Sequence, residues 1–313
     1  MLNFNFNYNI SDPVKKNNIT IFFLQSKTKL ENNFLTLEES ISKSLVDIKE
    51  INSKGTIRYL KVFNKSNQKL LILGSEQIIG NALKQNRVVN NTTLVPEQTT
   101  ILLSVSCCEK NRWSPAVANN ICTSESLYFT KGRINNSVDI FDNNKTDQFK
   151  IWDDIAEKLD EFNTKSFTGT LEDTYNKNKL YFDEITKYFK INENDVGVVA
   201  AIGNRLVNVE IFSSNKLLKM YFPKIIKSLI FESYKKTSQN YLLGLKDVYK
   251  LFRLIEFSEK KLHKPHNDCL GEEIRFNSDR VVGSCLNYKE KLLHFSGFLK
   301  DDMNVPLFKS KVA

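Results

Sequence analysis

The sequence predicts an α+β protein: an antiparallel, β-rich N-terminal half with a central hairpin, then a helix-rich C-terminal half with a β-hairpin and closing strands. Three observations predict it. Short runs rich in β-branched and aromatic residues recur through the first 106 residues, separated by Asn, Ser, Lys and Gly. Beyond about residue 143 the apolar spacing changes from two to three and four. No internal repeat and no Pro/Gly/Ser linker is evident, so the expectation is a single unit over 1–313, with lobes 1–142 and 143–313 as the finer division.

Leu2, Phe4, Phe6, Tyr8 and Ile10 alternate with Asn, the pattern of a half-buried strand over 2–10. Ile19 to Gln25 reads as a second strand. Thr36, with Glu39 three residues on, forms a capping box for a short helix over 35–44. Strands follow at 45–51, 56–64, 69–73, 87–95 and 99–106. Gly74 to Lys84 reads as a connection, and 136–147 as a boundary loop. Phe149, Trp152, Ile155, Leu159 and Phe162 recur at helical steps. Thr170 caps the next helical stripe, Leu171 to Phe189. Gly203-Asn204 suits a tight turn between strands 196–201 and 206–212. Ser213 or Ser214 caps a helix that Pro223 should kink or split. A helix over 245–261 and strands near 280–286 and 292–298 close the chain.

With 22 Phe and 11 Tyr the chain has material for a sizeable core. The 45 Lys+Arg exceed the 36 Asp+Glu, giving +9, but the surplus is spread along the chain with no block of like charge. It fits a Lys- and Asn-rich composition bias, and nucleic acid is not expected as a partner. The five Cys are odd in number and irregularly spaced, which points to reduced thiols in a cytoplasm. The N-terminus lacks a signal-peptide pattern, and no apolar run approaches the ~18 residues of a membrane span.

Residues 74 to 113 carry the best functional lead. Lys84-Gln85-Asn86-Arg87 and Glu109 with Arg112-Trp113 flank two β-type runs, with Val95-Pro96-Glu97-Gln98 as the turn between them. A hairpin centred there sets Leu94 against Thr99, Arg87 against about Ser106 and Gln85 against Cys108, so the two polar clusters meet at one end. Glu76 is expected at the same end.

Lys84-Gln85-Asn86-Arg87, the Leu94-Val95-Pro96 turn and Val105-Ser106-Cys107-Cys108-Glu109-Lys110-Asn111-Arg112-Trp113 together resemble the ARG and Rhodanese-Phosphatase-superfamily-associated protein domain, a prokaryotic family without an established activity. Weaker likeness extends over roughly 19–298 and includes Thr36 to Glu39, Val196 to Gly203 and His294. Cys108 and Asn111 depart from the family's small aliphatic residue and Gly. The family name records association with ADP-ribosylglycohydrolases and rhodanese- or phosphatase-type proteins, and so implies an ADP-ribose- or NAD-linked ligand.

Arg87 and Arg112 offer planar forks for phosphate or carboxylate, and Lys84 a point charge. Gln85, Asn86 and Asn90 can read hydroxyl or amide edges, and Trp113 can stack on a base. The same groups can equally brace the hairpin by pairing with Glu109 and Glu76. Glu109 and Cys107 are the catalytic candidates: Glu109 among cations should stay ionised, and Cys107 lies beside basic residues that lower a thiol pKa. A Cys at a strand end is also commonly buried and inert. The resemblance adds His294 to the ligand-binding candidates, whereas its apolar strand reads it as core. His263 to Cys269 holds three possible metal ligands in no standard zinc pattern, so no metal is expected and no cofactor is identifiable. Three readings stay open: an enzyme on a phosphorylated nucleotide-derived molecule, a binding module for that class, and an interaction protein whose polar clusters only brace the fold.

Overall fold

The computed structural model describes residues 4, 6–26, 34–114, 120–234, 243–263 and 268–300. The chain begins with β1 (Asn9–Ile10), β2 (Val14–Lys16) and β3 (Ile19–Gln25), then β4 (Phe34–Thr36), helix α1 (Leu37–Ser42) and β5 (Val46–Glu50). Next come β6 (Tyr59–Asn64), β7 (Lys69–Ile72), β8 (Gln77–Gly80), β9 (Arg87–Val89), β10 (Thr93–Val95), β11 (Thr100–Cys107) and β12 (Ile121–Thr123). Helices α2 (Thr130–Asn143), α3 (Gln148–Glu161), α4 (Leu171–Lys177) and α5 (Lys179–Tyr188) lead to the hairpin β13 (Asp195–Ile202) and β14 (Arg205–Phe212). Then follow α6 (Asn215–Ser233), α7 (Leu245–Glu256), β15 (Glu259–His263), β16 (Glu272–Asn277), β17 (Val281–Tyr288) and β18 (Lys291–Leu299). The class is α+β, as the alternation and the later helical spacing predict.

The nine-stranded sheet runs β1-β3-β13-β14-β18-β17-β16-β15, with β2 added on β3, and so joins both ends of the sequence. Its central strands are apolar on both faces because both are covered. Ile19, Ile21, Phe23, Val198 and Ala200 face a core shared with α3 to α6, while Phe22, Leu24, Val199 and Ala201 face α7 and the N-terminal segment. The expected strand over 2–10 is regular only at Asn9–Ile10. Phe4, Phe6, Tyr8 and Ile10 nonetheless pack on that second core, with Phe6 stacked on Phe252; Leu2 lies outside the described residues.

A six-stranded sheet (β12-β8-β9-β11-β6-β5) and a three-stranded one (β10-β7-β4) share a separate core, with Ile48, Leu60, Val62 and Leu103 from the first and Leu70, Ile72 and Val95 from the second. Among the places where the chain passes from one of these sheets to the other are two corners, β6 to β7 and β10 to β11. Asn64 pins both: its fully buried amide donates to Gln68 O and Pro96 O, each at 2.8 Å.

The predicted hairpin over 87–106 does not form as one continuous hairpin. β9 does pair with β11, with Arg87 opposite Cys107, one residue from the expected register. Leu94, however, pairs with Leu71 of β7, not with Thr99. Residues 91 and 92 leave the sheet because their side chains find partners elsewhere. Asn91 donates to Glu273, and Thr92 Oγ1 takes the Gly74 N–H and meets His294.

Other expectations also change. Gly74–Lys84 contains a strand, β8, paired with β9 and β12. Gly80 is required there, since a Cβ would lie 2.1 Å from the Asn120 carbonyl oxygen. The boundary loop at 136–147 is mostly helix α2, whose weak apolar spacing hides a buried face of Arg133, Ile134, Ile140 and Phe141. Phe149 does not belong to the buried stripe of α3; it is 74% exposed. Pro223 does not split the helix: α6 runs unbroken through it, and burial along Leu217 to Ser233 outweighs the roughly 3 kcal/mol cost of an interior proline. The helix at 245 stops at Glu256, and β15 and β16 add strands that the apolar spacing does not reveal.

Candidate functional site

The two polar segments do meet at one end of the β9–β11 pair. β11 ends at Cys107, so Glu109 to Trp113 turn back over the segment preceding β9. Glu109 Oε2 accepts from Asn86 N at 2.9 Å and from Arg112 Nε and Nη2 at 3.0 and 2.6 Å. Arg112 also donates to Leu83 O at 2.7 Å and Asn86 Oδ1 at 3.3 Å. Gln85 Nε2 donates to Lys110 O, and Cys108 N to Asn86 O. Arg87 reaches the other way, to Gln85 O at 2.7 Å, Glu50 Oε1 at 3.0 Å and Thr56 O at 3.3 Å. Its guanidinium lies 5.8 Å from the Trp113 ring, near enough for a cation–π contact.

Both arginine forks are thus matched inside the protein. Arg87 is wholly buried, whereas Trp113 is 46% exposed. Burial works against a charged Glu109, but hydrogen bonds from Arg112, Thr168 and the Asn86 N–H outweigh it and hold the carboxyl below its usual range. Cys107 behaves oppositely. Burial pushes its thiol up to about 11, with Arg87 only partly opposing, and that of Cys108 well above its ordinary value. Burial of this kind disfavours the thiolate that a neutral-pH nucleophile needs.

Three buried polar atoms at this end, Glu50 Oε2, Gln85 Oε1 and Arg87 Nε, have no hydrogen-bond partner among the described residues. Such concentrations of unmet hydrogen bonding need an explanation in native proteins. A groove of ≈ 530 Å³ opens beside the cluster, lined by Ile41, Ser44, Val46 to Glu50, Lys65, Ala82 and Ile121. Groove and cluster share Glu50 and adjoin through Ala82 and Lys84. Lys84 uses its backbone N–H on Glu50, and its ammonium makes no ion pair among the described residues.

Glu76, Asn90 and His294 are not part of this cluster. Asn90 bridges Ser104 and Ser106 across the β9–β11 pair. Glu76 is buried against α6, accepting from Leu73 N and Tyr221 OH, with Lys224 Nζ 3.7 Å away. Burial raises its pKa against the pull of Lys224.

His294 belongs to a second polar network. Its Nε2 lies 2.9 Å from Glu210 Oε2 and its Nδ1 2.9 Å from Thr92 Oγ1. Arg133 Nη2 and Ser296 Oγ donate to Glu210 Oε1 at 2.6 and 3.1 Å, and Arg133 Nε donates to Ser75. Burial opposes the Glu210 charge, but Arg133 and His294 prevail and its carboxyl sits below the usual range. The hydroxyl–imidazole–carboxylate order is that of a hydrolase relay. Here the imidazole is 2% exposed, the hydroxyl oxygen also takes the Gly74 N–H, and Arg133 neutralises the acid, so the network ties the sheets together.

Sequence reasoning missed Glu50, Arg133 and Glu210. Glu210 had a signal: an acid within the apolar strand Leu206 to Phe212 must find a buried partner. The His263–Cys269 loop gives no answer, since 264–267 lie outside the described residues.

A family model described as the ARG and Rhodanese-Phosphatase-superfamily-associated Protein domain matches residues 7–298, nearly the whole chain. No curated protein and no solved structure matches. Among the described residues no helix is long and apolar enough to cross a membrane.

Proposed function

The chain belongs to the ARG and Rhodanese-Phosphatase-superfamily-associated Protein domain family, and from that premise we propose that it binds a phosphorylated, nucleotide-derived small molecule of the ADP-ribose or NAD-linked class. Its setting in this reading is a prokaryotic cytoplasm, alongside the ADP-ribosylglycohydrolase- and rhodanese/phosphatase-type proteins of the family name. The observation that carries it is the groove of ≈ 530 Å³ abutting the 84–113 cluster. Its volume falls in the small-ligand range of roughly 300–1,000 Å³. Apolar Ile41, Val46, Ile48 and Ile121 suit a base or ribose face, and Lys49 of the lining supplies charge for phosphate; Lys84, whose N–H is held by Glu50 at the groove's edge, adds a second cation.

Binding is favoured over turnover by the state of the catalytic candidates. Cys107 is sealed, with its thiol pKa pushed up by burial, and Glu109 is committed to Arg112 and Asn86. Arg87, Arg112, Glu109, Gln85 and Asn86 then hold the frame, and Lys84 and Trp113 face the ligand at its rim. The bracing reading keeps its own observation, the complete burial of Arg87, and accounts for the frame without the groove.

Thermal-shift screening with ADP-ribose, its phosphorylated forms, NAD and nucleotides, with and without divalent metals, tests the proposal. A ligand at about 100 times its dissociation constant adds roughly 2.7 kcal/mol, a readable shift. Failure of every ligand to move the melting temperature would leave only the brace.

A further inference from the structure

Positive charge is spread evenly along the sequence, but folding gathers it. Segments 50–58, 84–87, 107–114, 147–153 and 163–170 come together at the end of β11. Arg87 reaches the Thr56 carbonyl, the Gln148 amide takes both backbone groups of Cys107, at 2.8 and 2.7 Å, and Asn111 bonds the carbonyls of Phe167 and Thr168. These segments hold eight Lys and Arg against four carboxylates. Glu50 and Glu109 are neutralised by Arg87 and Arg112, and Asp147 caps α3 by accepting from Phe149 N and Lys150 N. Asp153, exposed on α3, is the fourth. Lys54, Arg58, Lys84, Lys110, Lys150 and Lys165 make no ion pair among the described residues. On the same segments three rings face solvent: Trp113 at 46%, Phe149 at 74% and Phe167 at 94%.

Exposed flat rings among unpaired cations match a ligand that alternates stackable planes with negative charge. We propose that this end of the molecule binds single-stranded nucleic acid, with Trp113, Phe149 and Phe167 as stacking platforms and the six unpaired cations following the phosphates. A duplex fits less well, because its bases are already stacked and its regular backbone leaves the rings unused. The site shares Lys84 and Trp113 with the proposed small-molecule site and extends beyond it, since a polymer can span all five segments and needs no groove. It also reverses the expectation from charge order along the chain: spacing in sequence concealed a patch that exists only in the fold.

Fluorescence anisotropy with a labelled, mixed-sequence oligonucleotide of about 12 nucleotides tests this. The single strand should bind at about 100 mM salt more tightly than its duplex or heparin, quenching Trp113 emission. Trp113→Ala and Phe149→Ala should each weaken binding about fivefold or more. Replacing Lys84 and Lys110 together by Ala should reduce the slope of log affinity against log salt by roughly 1.4. Absence of binding overturns the proposal. So does equal binding of heparin, duplex, polyglutamate or anionic vesicles with no response to Trp113→Ala, which would mark a general cationic surface. Ala82→Trp, which fills the groove, separates the two sites: it should abolish any ADP-ribose shift and leave oligonucleotide binding intact.

Discussion

The cluster at the end of β11 and the network around Glu210 share one chemistry, a guanidinium facing a carboxylate with amides and hydroxyls on the remaining oxygens. They differ in where solvent reaches. Around Glu210 every partner is sealed, from Arg133 and His294 to Glu210 itself. At the end of β11 the ion pairs Arg87–Glu50 and Arg112–Glu109 are buried or nearly so, but they carry a rim of half-buried Lys84 and exposed Lys110 and Trp113. The sealed network holds elements together. The rimmed one holds its frame rigid and leaves charge and a ring available to a ligand. Similar side chains therefore serve cohesion in one place and, in the proposed function, recognition in the other.

Breaking the sealed network should have the largest effect. Glu210→Ala leaves Arg133 buried without its countercharge and should cost roughly 3–5 kcal/mol in urea unfolding. Replacing Glu210 and Arg133 together by apolar residues should cost less than the single change. Arg112→Ala should cost less again, roughly 1–3 kcal/mol, because it orphans Glu109 and the Leu83 carbonyl at a site that solvent partly reaches.

Acid titration sharpens the comparison. Glu210 and Glu109 both have folded pKa values below the ordinary value of 4.5, so their contribution is present above that pH and is lost as pH falls through the folded values. Glu76 has the opposite sign: its raised pKa means stability is greatest when it is protonated and declines as pH rises through the carboxylate range. Glu76→Gln should therefore show its gain over the wild type at neutral pH and lose it in acid. A constant gap across pH would contradict this assignment.

The smallest effects belong to the rim and the thiols. Trp113→Ala should change stability by no more than about 0.5 kcal/mol. A maleimide at neutral pH should reach exposed Cys122 first, and Cys107 and Cys108 only as the chain unfolds. Prompt labelling of Cys107 in the folded protein would reinstate it as a nucleophile.

Much of this was legible in the sequence wherever the signal was local. Thr36 and Glu39 form their capping box, Ser214 caps α6, and Gly203-Asn204 turns β13 into β14. The meeting of Lys84–Arg87 with Glu109–Trp113 was legible because strand pairing needs only a register. What escaped was set by distant partners. The β9–β11 pair looked like a hairpin until Thr92 and Asn91, bonded to His294 and Glu273, drew β10 into another sheet. Helix α2 escaped because its inward face carries Arg133, whose carboxylate partner Glu210 lies 77 residues away in sequence. Glu76 looked like a neighbour of Lys84 and instead turned toward Tyr221 and Lys224 of α6.

The division between frame and rim is tested most directly by the ADP-ribose thermal shift of the wild type, Lys84→Ala and Arg112→Ala measured side by side. The wild type should be stabilised by ligand; Lys84→Ala should keep its unliganded melting temperature and lose most of the shift; Arg112→Ala should melt lower before any ligand is added. A Lys84→Ala protein that melts like the wild type and shifts as far with ligand would contradict it.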